Sequence, residues 1–192
     1  MVAAGPLMKM SFAEYLATED ASPAKREWIH GEAWAMSGGT LEHSALAATI
    51  LRVLGNEFLG RPCKAFTSDA RIRVPATGLA AYPDVTVVCG PIERDPEDDH
   101  AITNPTALFE VLSPSTEDWD RGGKWAHYRR LPSLRHYVLF EDGEPRVELH
   151  SRQDDGTWVL RDLAAGGKIE LQALDFTLEI DVIYDEAFVG LA

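Results

Sequence analysis

Two acidic residues stand where apolar ones are expected. In "TALFEVLSPST", Thr106 to Thr116, Glu110 interrupts the apolar run Leu108, Phe109, Val111 and Leu112; in "YPDVTVVCG", Tyr82 to Gly90, Asp84 opens the run Val85, Val87 and Val88. An ionised carboxylate in apolar surroundings is costly unless something pairs with it or ligates it. Both runs read as β-strands, in which residues i and i+2 share a face, so Asp84 lies with Thr86 and Glu110 lies with Leu108 and Leu112. If the two strands are neighbours, both carboxylates project from one face, where they repel unless a proton or a cation intervenes. Hard oxygen ligands with no Cys or His cluster beside them favour magnesium or manganese over zinc. Pro83 cannot donate a ladder hydrogen bond, which places Asp84 at a strand start or edge, within reach of both core and solvent.

Ligation alone gives no reaction. Lys124 stands fourteen residues after Glu110 on the next helical segment, and its charge can return to the same site to hold a water or to stabilise charge developing on a phosphate. Taken singly, each residue also has a structural reading: Lys124 as an exposed lysine paired with Asp120 at i, i+4, Asp84 as a capping or turn residue, and Glu110 as the partner of a buried arginine. The sequence has no Gly-rich phosphate loop, no nucleophile elbow and no zinc pattern, and His30, His100, His127, His136 and His150 lack metal-ligand spacing.

The elements that must position these groups follow from pattern and punctuation. "SFAE" at Ser11 to Glu14 has the form of a capping box and opens a helix to about Glu19. "KREWIHGEAWAM" alternates around a hairpin with Gly31 in its turn. From Thr40 to Phe58, Leu41, Leu46, Ile50, Val53, Leu54 and Phe58 keep a helical period that Gly60 and Pro62 end. "CKAFT" and "ARIRVP" read as strands, the second alternating Ile72 and Val74 with Arg71 and Arg73. The acidic, proline-bearing "PIERDPEDDHAITNP" between the two carboxylate strands reads as a mobile surface loop with solvated charges. "WDRGGKWAHYRRLPS" reads as a helix from near Asp120 to just before Pro132, followed by the strands "LRHYVLFE", "RVELHSR", "TWVLRDL" and "KIEL" and a closing helix over Asp181 to Phe188. With no repeat and no long linker, the expectation is one α+β domain over residues 1–192, a mostly antiparallel or mixed β-sheet flanked by helices.

Composition bounds the rest. The chain has 192 residues, of which 45% are hydrophobic, enough for a substantial core. No stretch approaches the roughly 20 apolar residues that span a bilayer, and "MVAAGPLMKMSFAEYL" lacks the layout of a secretory leader, so a cytoplasmic protein with no membrane contact is expected. Cys63 and Cys89, neither in a CxxC pair, read as reduced thiols. The net charge of −13 is uneven: residues 139–192 hold thirteen acidic and four basic side chains, whereas Arg121 to Arg135 carries five basic residues and no acid. The global charge argues against tight nonspecific DNA binding and leaves room for a local basic face.

"YPDVTVVCG" followed by "LFEVLSPSTEDWDRGGKWAHYRRLPSLRHYVLFE" resembles the Uma-type restriction endonuclease family, a large bacterial branch of the PD-(D/E)xK nuclease superfamily. The resemblance runs from about Phe12 to the C-terminus and includes "REWIHGE" at Arg26 to Glu32 and "SDARIRVP" at Ser68 to Pro75. It implies a restriction-endonuclease-like core with Asp84 and Glu110 as metal ligands, joined by the main-chain carbonyl of Val111. The lysine that the superfamily places two residues after the glutamate is replaced by Leu112, and in this family it moves to the helix, which points to Lys124. Glu27 matches the family's glutamate in the first hairpin and is either a candidate for the metal shell or an exposed hairpin carboxylate; His43 matches a family position and contacts a phosphate, orients a ligand or is satisfied by a neighbour on the helix surface. The implied function is a Mg²⁺- or Mn²⁺-dependent endonuclease that hydrolyses phosphodiesters, with DNA as partner. A lone domain reaches one strand at a time, so a twofold homodimer is expected. The alternatives are a catalytically silent nuclease-fold protein that binds a nucleic acid or a protein partner, and an enzyme acting on a small phosphate or nucleotide.

Overall fold

The computed structural model describes residues 8–36 and 38–191; the expectation about a leader falls largely on residues outside that set. In chain order the elements are β1 (Met8–Lys9), α1 (Phe12–Glu19), β2 (Arg26–Ile29), β3 (Glu32–Ala35), α2 (Leu41–Glu57), β4 (Cys63–Thr67), β5 (Arg71–Val74), β6 (Leu79–Ala81), β7 (Val85–Cys89), β8 (Arg94–Asp95), β9 (Asp98–Ile102) and β10 (Ala107–Leu112). A π-helical segment (Trp119–Lys124) runs into α3 (Trp125–Tyr128), and β11 (His136–Glu141), β12 (Arg146–Arg152), β13 (Trp158–Ala164), β14 (Lys168–Leu171), β15 (Phe176–Glu179) and α4 (Ile180–Phe188) complete the chain. No described helix is long and apolar enough to cross a membrane.

The main sheet has six strands in the order β13-β12-β11-β10-β7-β4, antiparallel except for the central β10–β11 pair. Strand β10 is buried along its whole length, and its alternation splits the core. Phe109 and Val111 pack with Leu46, Ile50 and Leu54 of α2 and Ile183 of α4. Leu108 and Leu112 face the other way, with Tyr128, Leu131 and Tyr137 and with Ile72 and Leu79 of a second, seven-stranded sheet. Glu110 has the parity of Leu108 and therefore points between the two sheets. This is a mixed α+β protein with the restriction-endonuclease-like fold.

Local signals hold where they are self-contained. Ser11 and Glu14 close the capping box of α1, and Thr40 caps α2 by accepting from the His43 N–H at 3.0 Å. The β2–β3 hairpin turns through His30 (φ 50°) and Gly31 (φ 86°), the left-handed pair that a two-residue hairpin requires.

Two expectations are overturned. The acidic segment 91–105 is more than a surface loop: it carries β8 and β9, and β9 pairs parallel with β5, although Glu93, Glu97 and Asp99 are exposed as expected. Its Asp98 and Asp95 are buried because Arg71 and Arg73 lie beneath them, Arg71 Nε 2.6 Å from Asp98 Oδ2 and Arg73 Nε 3.8 Å from Asp95 Oδ2. The other correction concerns Cys63 and Cys89, which are disulfide-bonded rather than reduced. The antiparallel β4–β7 register sets them directly opposite, with their Cα atoms 4.0 Å apart, although 26 residues separate them in sequence.

His136, at the start of β11, gives the fold a pH dependence. Its Nδ1 lies 3.1 Å from Ser151 Oγ, and its Nε2 accepts the Ala173 N–H at 3.2 Å, so the buried ring is held neutral. Burial, aided by the Arg135 charge, lowers its pKa to about 4. Between the unfolded value near 6.5 and that folded value, only the unfolded chain takes up the proton, so stability is lost as the pH falls through this window. The expected loss is roughly 3 kcal/mol at full titration. Urea midpoints at pH 7 and pH 4.5 check this: the wild type should fall further than His136→Gln, and equal falls would remove His136 from the account.

Candidate active site

The β7–β10 register creates the site. Leu108 faces Thr86 and Phe109 faces Val85, so the next step beyond the ladder sets Glu110 beside Asp84. Each side chain then holds the other's strand: the Asp84 N–H donates to Glu110 Oε2 at 3.2 Å, and the Val111 N–H donates to Asp84 Oδ2 at 2.7 Å. These two bonds continue the strand pairing one step past Val85 through side chains, which fixes both carboxylates.

Lys124 arrives from the far end of the π-helical segment and is buried with them. Its Nζ lies 3.1 Å from Glu110 Oε1, 3.1 Å from Glu27 Oε1 and 2.9 Å from Asp120 Oδ1. The segment owes its placement to Gly123, because a Cβ there would lie 1.8 Å from the Trp119 ring. That ring packs edge-on to Trp34 with centroids 5.5 Å apart and donates its Nε1–H to Glu27 Oε2 at 3.0 Å. Glu27 and Trp34 face each other across the β2–β3 hairpin, so the second sheet delivers one carboxylate to the lysine. From the opposite side, His43 of α2 sets Nε2 3.3 Å from Asp84 Oδ2, and the absence of a side chain at Gly39 makes room for its ring.

The electrostatics are those of a crowded acidic pocket. Burial pushes the Glu110 carboxyl well above the usual carboxylate range; the Lys124 ammonium opposes this, while Asp120, Asp84 and Glu27 add to it. Burial alone would lower Lys124, but Glu110, Glu27 and Asp120 together hold it well above its ordinary value, as an ammonium. The hydrogen bond to Asp84 raises the His43 imidazole. Four carboxylates against one ammonium and one imidazole leave an excess of negative charge around a small cavity of about 60 Å³, lined by Asp84, Glu110, Lys124, Trp34 and Trp119.

That excess, carried by hard oxygens, is what a divalent cation neutralises, and the donor set of Asp84, Glu110 and the Val111 carbonyl fits magnesium or manganese. Among the described residues no three or more His, Cys, Asp or Glu side chains are arranged to hold an ion. The implied set contains only two side chains, and Lys124 and the Asp84 N–H between them engage both oxygens of Glu110.

Asp84, Glu110, Lys124, Glu27 and His43 therefore converge, although Glu27 contacts Lys124 and Trp119 rather than Asp84. Lys124 and Glu27 are buried rather than solvent-exposed. Asp120 is a member of the site that sequence reasoning treated only as a surface partner; its i, i+4 spacing to Lys124 was the available signal. The acid-free stretch from Arg121 to Arg135 supplies less basic surface than its composition suggests. Arg121 is paired with Glu117, Glu141 and Glu148 and Lys124 is buried, leaving Arg129, Arg130 and Arg135 exposed.

Comparison with known proteins places this geometry in a family. The Uma2 family model, described as "Putative restriction endonuclease", matches residues 12–182. Two proteins of Synechocystis sp. are similar along most of their length. The uncharacterized protein slr1290 is 36% identical over 93% of this chain and 93% of its own, and the uncharacterized protein sll1609 is 32% identical over 80% and 87%. A crystal structure from Anabaena variabilis, titled as a "putative nuclease belonging to DUF820", shares the fold with a TM-score of 0.71 at 17% identity, over 86% of this chain and 93% of that one. The chain belongs to the Uma2 restriction-endonuclease family.

Proposed function

We propose that the protein is a magnesium- or manganese-dependent endonuclease that hydrolyses phosphodiester bonds in DNA. The observation that carries this reading is the buried Lys124 ammonium resting on Glu110, the same carboxylate that is coupled to Asp84 across the two strands. Asp84, Glu110 and the Val111 carbonyl would hold the ion. When bound, such an ion polarises a phosphoryl oxygen and lowers the pKa of a coordinated water.

The chain's own groups do the rest. Lys124 presents a fixed positive charge where negative charge develops on the phosphate, and its burial strengthens that interaction relative to water. Glu27, anchored by Trp119, holds the ammonium in place. His43 orients Asp84 through the 3.3 Å contact. The experiment is incubation of the pure protein with supercoiled plasmid. Manganese-dependent nicking or linearisation that EDTA abolishes supports the reading. Intact plasmid, with manganese bound, would favour a nuclease-fold protein that binds without cutting, which the net charge of −13 also suits.

Cutting both strands of a duplex calls for two active sites, so the active form in this reading is a twofold homodimer. Light scattering at micromolar concentration should give twice the chain mass of 21.2 kDa; a monomer would leave nicking of one strand as the activity.

A further inference from the structure

Asp120 has a carboxylate with no visible employment except Lys124. It is 2% exposed, its Oδ1 lies 2.9 Å from the ammonium, and among the described residues no other side-chain partner is recorded for it. Its main chain is pinned separately, since the Tyr137 hydroxyl of β11 donates to the Asp120 carbonyl at 3.0 Å. Asp120 thus sits on a fixed turn, one helical step from the lysine it faces.

Lys124 contacts three carboxylates, and these are not equivalent: Glu110 Oε1 accepts its hydrogen bond, whereas Glu27 Oε1 and Asp120 Oδ1 meet it as ion pairs alone. Glu27 is committed on its other oxygen to Trp119. Glu110 is claimed twice, by Lys124 through Oε1 and by the pairing with Asp84 through Oε2. An ammonium and a divalent ion compete for a shared carboxylate, because each attracts the same charge. Lys124 must therefore be restrained from closing fully on Glu110 if Glu110 is to bind an ion. Asp120 lies on the lysine's own helix and is free of other partners, so it supplies the pull in the other direction.

We propose that Asp120 is a positioning residue that holds Lys124 back, so that one carboxylate, Glu110, serves both the ammonium and a divalent ion. This rests on the reading of Asp84 and Glu110 as ion ligands. Without the Asp120 charge the ammonium settles on Glu110 and Glu27, and the ion loses the contest for Glu110.

The test is a manganese titration by calorimetry on four proteins: wild type, Asp120→Asn, Lys124→Gln and the double variant, with thermal melts in EDTA to confirm folding. Asp120→Asn keeps the shape and removes the charge; Lys124→Gln keeps a donor for the carboxylates and removes the competitor. Asp120→Asn should weaken manganese binding by roughly tenfold, the scale of one lost charge–charge contact in a partly screened site. The double variant should recover wild-type affinity or better, because the loss acts through the lysine. A role for Asp120 in folding alone, or as general negative charge, gives the same loss whether or not Lys124 is present, and that additive result would overturn the proposal. If Lys124→Gln alone fails to fold, Lys124→Met takes its place in the cycle, because the decision lies in whether Asp120→Asn still costs affinity once the lysine is gone. Absence of manganese binding in the wild type would instead overturn the ion-ligand reading itself, and this inference with it.

Discussion

Lys124→Ala should cut plasmid at least two orders of magnitude more slowly than the wild type while still binding manganese. A group that acts on charge developing in the transition state changes rate more than ion affinity, and one positioned electrostatic donor is worth about this much. The geometry adds a second effect. Lys124 neutralises Glu110, Glu27 and Asp120 in a buried site, so its removal leaves carboxylates uncompensated, at a cost of about 3–5 kcal/mol. The variant should melt earlier in EDTA and recover part of that loss on adding manganese, which replaces the missing positive charge. Lys124→Arg should not restore the rate, because a planar guanidinium cannot take the place of a compact ammonium among three converging carboxylates. Initial rates of plasmid conversion with saturating manganese, alongside melts with and without the ion, separate the two effects. A Lys124→Ala protein that cuts as fast as the wild type would remove the lysine from the chemistry.

What the sequence made legible was whatever depends on nearby residues. The Ser11–Glu14 cap and the His30–Gly31 turn are each decided within about four positions, and each stands as read. The shared face of Asp84 and Glu110 was also readable, since alternation within each strand fixes parity and the register only had to bring the strands together. Illegible features depended on partners distant in sequence. Asp98 looked solvated like its exposed neighbours because its partner, Arg71, lies 27 residues upstream on another strand. The thiols looked free because only the β4–β7 register sets Cys63 against Cys89. Asp120 looked like a surface residue because nothing local shows that it is buried and that its carbonyl is anchored by Tyr137.

Neutralising either paired carboxylate should abolish divalent-ion binding and leave the fold intact. The geometry selects Asp84→Asn and Glu110→Gln for this purpose. Asp84 accepts the Val111 N–H and Glu110 accepts the Asp84 N–H, so alanine would leave buried donors unsatisfied at a cost of about 1–3 kcal/mol each. The amides keep an acceptor oxygen and remove one charge from an over-acidic pocket. Relieved repulsion should therefore give melting temperatures in EDTA equal to or above that of the wild type. Loss of one of two anionic ligands should weaken manganese binding by at least a hundredfold, the range in which even supporting residues of metal sites act.

The central claim is that Asp84 and Glu110 share one divalent cation, and a calorimetric titration of manganese into the wild type, Asp84→Asn and Glu110→Gln tests it most directly. The wild type should bind one ion per chain, and neither folded variant should bind measurably. Wild-type affinity in both variants would contradict it.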